Sequence, residues 1–351
     1  MGKVIVLNQK AVEEVLDMAQ VVEAVEQVYI SKSAGNATVW PMVFYEFEKG
    51  KADMDIKSGV LSEKGIYGLK LVSWFGENGN KGLPLLYGTT LVFDSNTGAP
   101  IGLVDAEYIT GMRTGAAGAI GAKYLARKNS ENLLVVGAGH QAIFQIAATL
   151  ISMDNIKIVR IYGGVNSEKA TNLSLSINKK LTDMFLSKYD ANSSEYKIMQ
   201  SKFNIKFEAV SDIKEAVGKS DIIITITPSR KPIVMKEWVK KGTHFSCVGS
   251  DMEGKQEIDE NIFNNARVYV DDIAQAMKVG EIEIPMKKNI IERKDIIAEI
   301  GDVISGLAQG RISDDDITIY DTTGIALQDL ITSKLAIDLA KQKGLGVEVD
   351  L

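Results

Sequence analysis

Hydrophobic positions along the chain follow two rhythms. Val12, Val15, Leu16, Ala19, Val22 and Val25 recur at helical spacing, which predicts a helix capped by Asn8, running through Ala34 and ended by Gly35-Asn36. From Val39 to Val104 the apolar stretches are short and strand-like, at Val43 to Phe47, Tyr67 to Val72 and Thr89 to Phe93. Turn signals such as Asn78-Gly79-Asn80-Lys81-Gly82 and Asn96-Thr97-Gly98 separate them. This pattern predicts an α+β region on a curved sheet.

Arg113 to Arg127 reads as a helix with Gly115, Gly118 and Gly121 inside it at spacing three. Each glycine costs about 1 kcal/mol against alanine there, so a bare face admitting a neighbouring backbone is expected to offset it. Beyond it, buried strands alternate with helices. Leu133 to Val136 is a strand, followed by a glycine turn and an apolar helix through Leu150. Ile156 to Tyr162 is a second strand and Ser167 to Lys188 a second helix; Ile205 to Ala209, Ile222 to Ile226, His244 to Val248 and Arg267 to Val270 supply more strands. Such alternation predicts a doubly wound parallel sheet. Residues 189–202 are polar and read as a surface extension. One more strand, Ile317 to Tyr320, and a helix from Ile325 to Lys343 close the pattern.

The 351 residues suffice for two such regions. A net charge of −6, spread in mixed signs, argues against a nucleic-acid or anionic-membrane partner. The one cysteine, Cys247, lies in the apolar run Phe245 to Val248 and reads as a buried structural thiol in a reducing compartment. The amino-terminal residues carry no secretory or myristoylation pattern, and no stretch approaches about 18 consecutive apolar residues, so a cytoplasmic setting is expected.

The turn Gly137-Ala138-Gly139-His140-Gln141-Ala142 follows a buried strand and opens a helix. That context suits a dinucleotide, whose pyrophosphate needs close backbone approach and a helix N-terminus. His140 reads as a helix-start residue, not a catalyst. The end of the second strand, Tyr162-Gly163-Gly164-Val165-Asn166-Ser167, lacks the carboxylate that favours NAD, while Asn166, Ser167 and Lys169 suit a 2′-phosphate. NAD and NADP both stay open, with a tilt to NADP.

Three charged residues have apolar contexts: Lys70 in mid-strand, Arg113 at the start of the glycine-rich helix, and Asp251 after the strand ending Val248-Gly249-Ser250. Ligands bind outside the carboxyl ends of strands in open α/β sheets, where a carboxylate can exchange a proton. An arginine–lysine pair can hold a substrate carboxylate. Each residue also has an ordinary structural explanation: an edge-strand lysine reaching water, an ion-paired arginine, a turn aspartate. No metal site is expected.

Several motifs in order resemble the ornithine cyclodeaminase/mu-crystallin family. They are Tyr67-Gly68-Leu69-Lys70, Gly82-Leu83-Pro84, Asp94 to Gly98, Arg113 to Ala117, the glycine turn, Gly242 to Asp251, Gly254-Lys255, and Thr323-Gly324 through Gln328-Asp329. The resemblance implies a Rossmann dinucleotide-binding domain over 113–311 and a substrate-binding, dimerising domain from 1–112 and 312–351, the chain forming a homodimer. It implies that Lys70 and Arg113 bind the substrate carboxylate and that Asp251 is the acid/base residue near the nicotinamide, with Lys70 counted beside it among the catalytic residues. Gly137, Ala138, Gly139, His140, Gln141, Thr114, Asn166, Ser167, Thr225, Thr227 and Gly324 are the expected cofactor contacts.

Two departures stand out. The family's arginine shortly after a proline has no counterpart at Trp40-Pro41-Met42-Val43, and no arginine precedes Arg113; only Lys49, Lys51 and Lys57 are near. The proline before Gly254-Lys255 is Glu253. The acidic pair Asp53 and Asp55 reads either as a partner for a substrate ammonium or as part of a solvated loop. The implied activity is NAD(P)-dependent hydride chemistry at the C–N bond of a small amino or imino acid, as a cyclodeaminase (an ammonia-lyase). An amino-acid dehydrogenase or ketimine reductase is the alternative, and a cofactor-loaded binding protein the further one.

Overall fold

The computed structural model describes residues 3–164 and 167–351. It divides into two compact units, residues 1–113 with 325–351, and residues 114–324.

In the first unit Asn8 caps the first helix, its side chain accepting from Ala11 N, but that helix ends at Val15. Leu16 turns extended, and the Asp17 side chain accepts from Gln20 N to start a second helix, Met18–Ser33. The capping aspartate thus splits the single helix expected from the periodicity. The sheet runs, in spatial order, Val347–Asp350, Lys3–Leu7, Pro100–Asp105, Leu86–Asp94, Ile66–Phe75, Ala52–Leu61 and Ala37–Val39, with Val43–Glu48 also pairing to Ala52–Leu61. Only Lys3–Leu7 and Pro100–Asp105 are parallel neighbours. The C-terminal helix Ala326–Lys343 lies on this sheet, close enough that a Cβ at Gly68 would stand 2.9 Å from Leu330 Cδ2. A side chain there would hold the helix off the sheet.

Among the described residues the main sheet of the second unit has eight parallel strands in the order Lys206–Val210, Ile158–Tyr162, Asn132–Val136, Ile222–Thr225, His244–Cys247, Ile317–Asp321, Ala266–Val270 and Ile296–Glu299. This is the doubly wound sheet that alternation predicts. Strand order reverses between Asn132–Val136 and Ile222–Thr225, beside the glycine turn. Leu134, Val136, Ile223, Phe245, Cys247 and Ile319 form the centre of its core. The expected boundary after 311 moves to Gly324. The reason is Ile317–Asp321, which pairs on both sides, Thr318 with His244 and with Arg267, and so belongs in the middle of this sheet.

The glycine-rich helix is Glu107–Leu125, so Arg113 lies within it and does not start it. Its bare face is used: a Cβ at Gly115 would meet Phe144 O at 2.6 Å, and one at Gly121 would meet the Tyr320 ring. The polar stretch 189–202 contains a capped helix, Ser194–Phe203. Among the described residues no helix is long and apolar enough to cross a membrane.

Candidate active site

The first unit gathers a buried charged cluster. Lys70 stands in mid-strand, directly opposite Lys57 on one neighbour and Thr90 on the other, so the three share one sheet face. Lys70 is only 3% exposed, which rules out an edge lysine reaching water. Its Nζ donates to Asp329 Oδ1 at 3.0 Å, and Arg113 Nε donates to the same oxygen at 3.1 Å. Arg113 Nη1 donates to Gln328 Oε1 at 3.2 Å, and Gln328 Nε2 donates to the Tyr29 hydroxyl. Among the described residues, Asp329 Oδ2 and Thr90 Oγ1, both buried, find no hydrogen-bond partner.

Burial, then the charge of Arg113, lowers the Lys70 pKa to about 8 against the pull of Asp329; Lys57 lowers it and Asp55 raises it. Burial works against the Asp329 charge, but Arg113 and Lys70 outweigh it and hold the carboxyl below its ordinary range. Asp53 and Asp55 belong to the strand Ala52–Leu61, half-buried, not to a solvated loop. Around Lys70 the cations (Lys70 itself, Arg113 and Lys57) outnumber the carboxylates that act on it (Asp329 and Asp55), which suits an anion there.

In the second unit the strand Asn132–Val136 runs into Gly137 at φ 125°, a conformation that needs glycine, and a Cβ there would meet Ile226 O at 2.7 Å. At Gly139 a Cβ would meet nothing within 4 Å, so space is left above the turn. Gln141 begins the helix Ala142–Ser152 without a side-chain cap, and its Oε1 is buried without a partner. An uncapped helix start, an open glycine and a sheet's topological switch fit a dinucleotide pyrophosphate. The His140 ring lies 5.3 Å from the Phe144 ring, a packing contact. Thr114 O accepts from Gln145 Nε2 at 2.8 Å, tying Thr114 to the same helix. Ala138, Gly139 and His140 border a cavity of about 530 Å³ that Lys169 and Lys180 also line. Ser167 is exposed at the start of its helix; Asn166 lies outside the described residues.

Asp251 follows His244–Cys247 at the carboxyl edge of the parallel sheet, half-exposed, and pairs with Lys255. Its loop is fixed from below by two buried glutamates. Glu257 accepts from Thr227 N at 2.5 Å and Gly249 N at 2.9 Å, tying together the loops after two strands. Glu281 accepts from Glu257 N and Ile258 N at 2.8 Å and from Ser250 Oγ. Burial raises both carboxyls, and the Glu281 charge raises Glu257 further. Thr225 is fully buried at its strand end, while Thr227 is partly exposed. Gly324 donates its N–H to Asp271 Oδ2 at 2.9 Å beyond Ile317–Asp321, at the same edge. Cys247 is buried, and burial pushes its thiol well up.

The ornithine cyclodeaminase/mu-crystallin family model matches residues 3–184 and 186–344. The chain belongs to this family. It is 36% identical to an alanine dehydrogenase of Archaeoglobus fulgidus, over 98% of each chain. It is 30% identical to an iminosuccinate reductase of Paracoccus denitrificans, over 99% of this chain and 100% of that one. Among solved structures it resembles an archaeal alanine dehydrogenase dimer with bound NAD (TM-score 0.87, 36% identity, all of both chains). It resembles equally the Thermococcus litoralis Δ1-pyrroline-2-carboxylate reductase with NADH and L-proline (TM-score 0.87, 31% identity, 98% of this chain and 100% of that one).

The strand register sets Lys57 against Lys70, so a second lysine stands beside the buried pair where the sequence has no arginine before Arg113. Lys70 and Arg113, expected as a pair from the sequence, do meet on one carboxylate, whereas Asp329, Gln328, Glu257 and Glu281 have no role expected from the sequence. Asp329 was visible only as part of the final motif, and Glu257 carried no signal at all.

Proposed function

We propose that this protein is a nicotinamide-dependent oxidoreductase acting on the C–N bond of a small amino or imino acid. The observation that carries this is the buried Lys70–Arg113 pair sharing one carboxylate oxygen, in a chain whose other unit holds a glycine turn fit for a dinucleotide. Lys70 and Arg113 take the substrate carboxylate, the arginine contributing directional N–H donors and the lysine a point charge. Asp251 moves a proton to or from the substrate nitrogen or a water, held in its loop by Lys255 and the glutamates beneath. The cofactor, when bound, supplies or accepts the hydride.

The relatives support a reaction that stops after one hydride transfer, a dehydrogenase or imine reductase, over the cyclodeaminase. Gly137, Ala138, Gly139, His140 and Gln141 hold the pyrophosphate side, with Thr114, Asn166, Ser167, Thr225, Thr227 and Gly324 as further cofactor contacts. Tyr162-Gly163-Gly164 offers no carboxylate against a 2′-phosphate, and Lys169 offers a cation, so NADP is admitted beside NAD. A homodimer is supported by the large apolar side chains the first unit leaves exposed, among them Phe44, Tyr45, Phe47, Leu85 and Tyr87. The buried Cys247 suits a cytoplasmic setting.

The test is oxidation of NADH and NADPH with pyruvate plus ammonium and with Δ1-pyrroline-2-carboxylate, beside L-ornithine with NAD⁺. Net cofactor oxidation on an imino or keto acid is expected. Proline from ornithine without net cofactor reduction would instead establish the cyclodeaminase. Asp251→Asn should lower kcat by about 10²–10⁴-fold with dinucleotide Kd unchanged. Unchanged turnover in that variant removes its assigned role, and tight dinucleotide binding with no turnover at all marks a binding protein.

A further inference from the structure

The final motif of the family pattern ends in Gln328-Asp329, and the proposed reaction gives Asp329 nothing to do. Yet it is the most buried charge of the first unit's cluster, with a side-chain exposure of 0%. It lies in the first turn of Ala326–Lys343, the helix packed on the sheet that carries Lys70. Lys70 Nζ and Arg113 Nε both donate to its Oδ1, so the two cations lie within about 6 Å of each other. Two buried like charges at that separation repel strongly, the more so with Lys57 opposite Lys70. Something must hold them together while no substrate is present.

We infer that Asp329 is the positioning residue of the carboxylate clamp, holding Lys70 and Arg113 side by side against their repulsion so that one substrate carboxylate meets both. The inference rests on the reading of those two residues as carboxylate ligands. Three features make Asp329 a positioning group and not merely a partner in an ion pair. Both contacts fall on one oxygen, which fixes the cations relative to each other and not only to the helix. The adjacent Gln328 holds Arg113 by a second nitrogen and is itself anchored to Tyr29, so the guanidinium plane is set by two consecutive residues of one helix turn. Its other oxygen, Oδ2, is buried without a partner, a placement that serves the cations and leaves the carboxylate's own bonding incomplete.

The charged groups facing Lys70 are Arg113 from the glycine-rich helix, Asp329 from the C-terminal helix, and Lys57 and Asp55 from the neighbouring strand. The strand on the other side offers the uncharged Thr90. Removing the Asp329 charge therefore leaves Lys70 among two cations and one carboxylate. Its ammonium form is then less favoured and its pKa falls.

The experiment uses the full-length protein with ε-¹³C-labelled lysine, the Lys70 signal being identified by its loss in Lys70→Met. Asp329→Asn should move the Lys70 titration to lower pH. With NADH and the better of pyruvate plus ammonium or Δ1-pyrroline-2-carboxylate, KM for the acid should rise at least about tenfold while kcat stays within about threefold. The alkaline limb of kcat/KM should shift to lower pH, and dinucleotide Kd should not change. Asp329→Glu should restore part of the KM, and it provides the same two readouts should the asparagine variant not fold. An unchanged Lys70 titration together with an unchanged KM overturns the inference. Lys70→Met and Arg113→Gln separate it from the reading beneath: if these raise KM and Asp329→Asn does not, only the positioning role fails. If they leave KM alone, the clamp itself is wrong, and the positioning role goes with it.

Discussion

Lys70, Arg113 and Asp329 in the first unit are buried together and answer one another's charge, whereas Glu257 and Glu281 in the second rest on backbone N–H groups and Ser250. The first cluster fixes side chains relative to one another and keeps an excess of positive charge for a ligand. The second fixes backbone: Glu257 joins the loop at Thr227 to the loop at Gly249, two residues before Asp251. One unit therefore concentrates charge and the other fixes the loop that carries a half-exposed carboxylate, Asp251. The Lys70 charge sits in a site of opposed pulls, while the glutamates take up protons more readily than ordinary carboxyls do.

The sharpest way to break this contrast is to remove one acid from each cluster. Asp329→Ala strips the anion from two buried cations and should cost about 3–5 kcal/mol in urea unfolding. Glu257→Gln keeps one acceptor but turns a donor toward the second amide, and should cost about 1–3 kcal/mol. Equal losses in the two variants would mean that the clusters do not differ in kind.

A smaller effect comes from pH, and its sign differs between the clusters. Between pH 8 and 10.5 folded Lys70 binds fewer protons than the unfolded chain, so its contribution makes stability rise with pH across that window. Glu257 and Glu281 bind more protons folded than unfolded above their ordinary 4.5, so their contribution falls as pH climbs from there through the neutral range. In scans of Tm against pH, Glu281→Gln should flatten the neutral decline and leave the alkaline rise, and Lys70→Met the reverse. A decline that persists unchanged in Glu281→Gln would place its origin elsewhere.

The smallest effect is expected at Lys255. Its pair with Asp251 is half-exposed, so Lys255→Met should change unfolding free energy by no more than about 1 kcal/mol. Its effect should appear instead in turnover, since Asp251 loses a partner that holds its side chain in the loop. Turnover equal to that of the parent protein would show that Lys255 does not position Asp251.

Much of this was legible in advance because it is local. The change from short strands to strand–helix alternation marked the second unit, and a strand running into Gly137 marked the turn. An apolar setting alone singled out Lys70, Arg113 and Asp251. The misplaced boundary came from Ile317–Asp321, whose composition says strand but not which sheet. Pairing partners settle that, and they lie at His244–Cys247 and Ala266–Val270.

Sequence by itself determined the two architectures, the glycine turn, the family and the cations set in apolar surroundings, since each is written in neighbouring residues through periodicity, conformational need or context. Tertiary structure alone decided what those cations face. Lys70 and Asp329 are 259 residues apart, and no spacing rule links them. Their contact exists because a glycine-bearing sheet face lets the last long helix lie close, turning an unremarked aspartate in its first turn onto both charges. Glu257 likewise became a tie between two loops only when parallel pairing set their strands side by side.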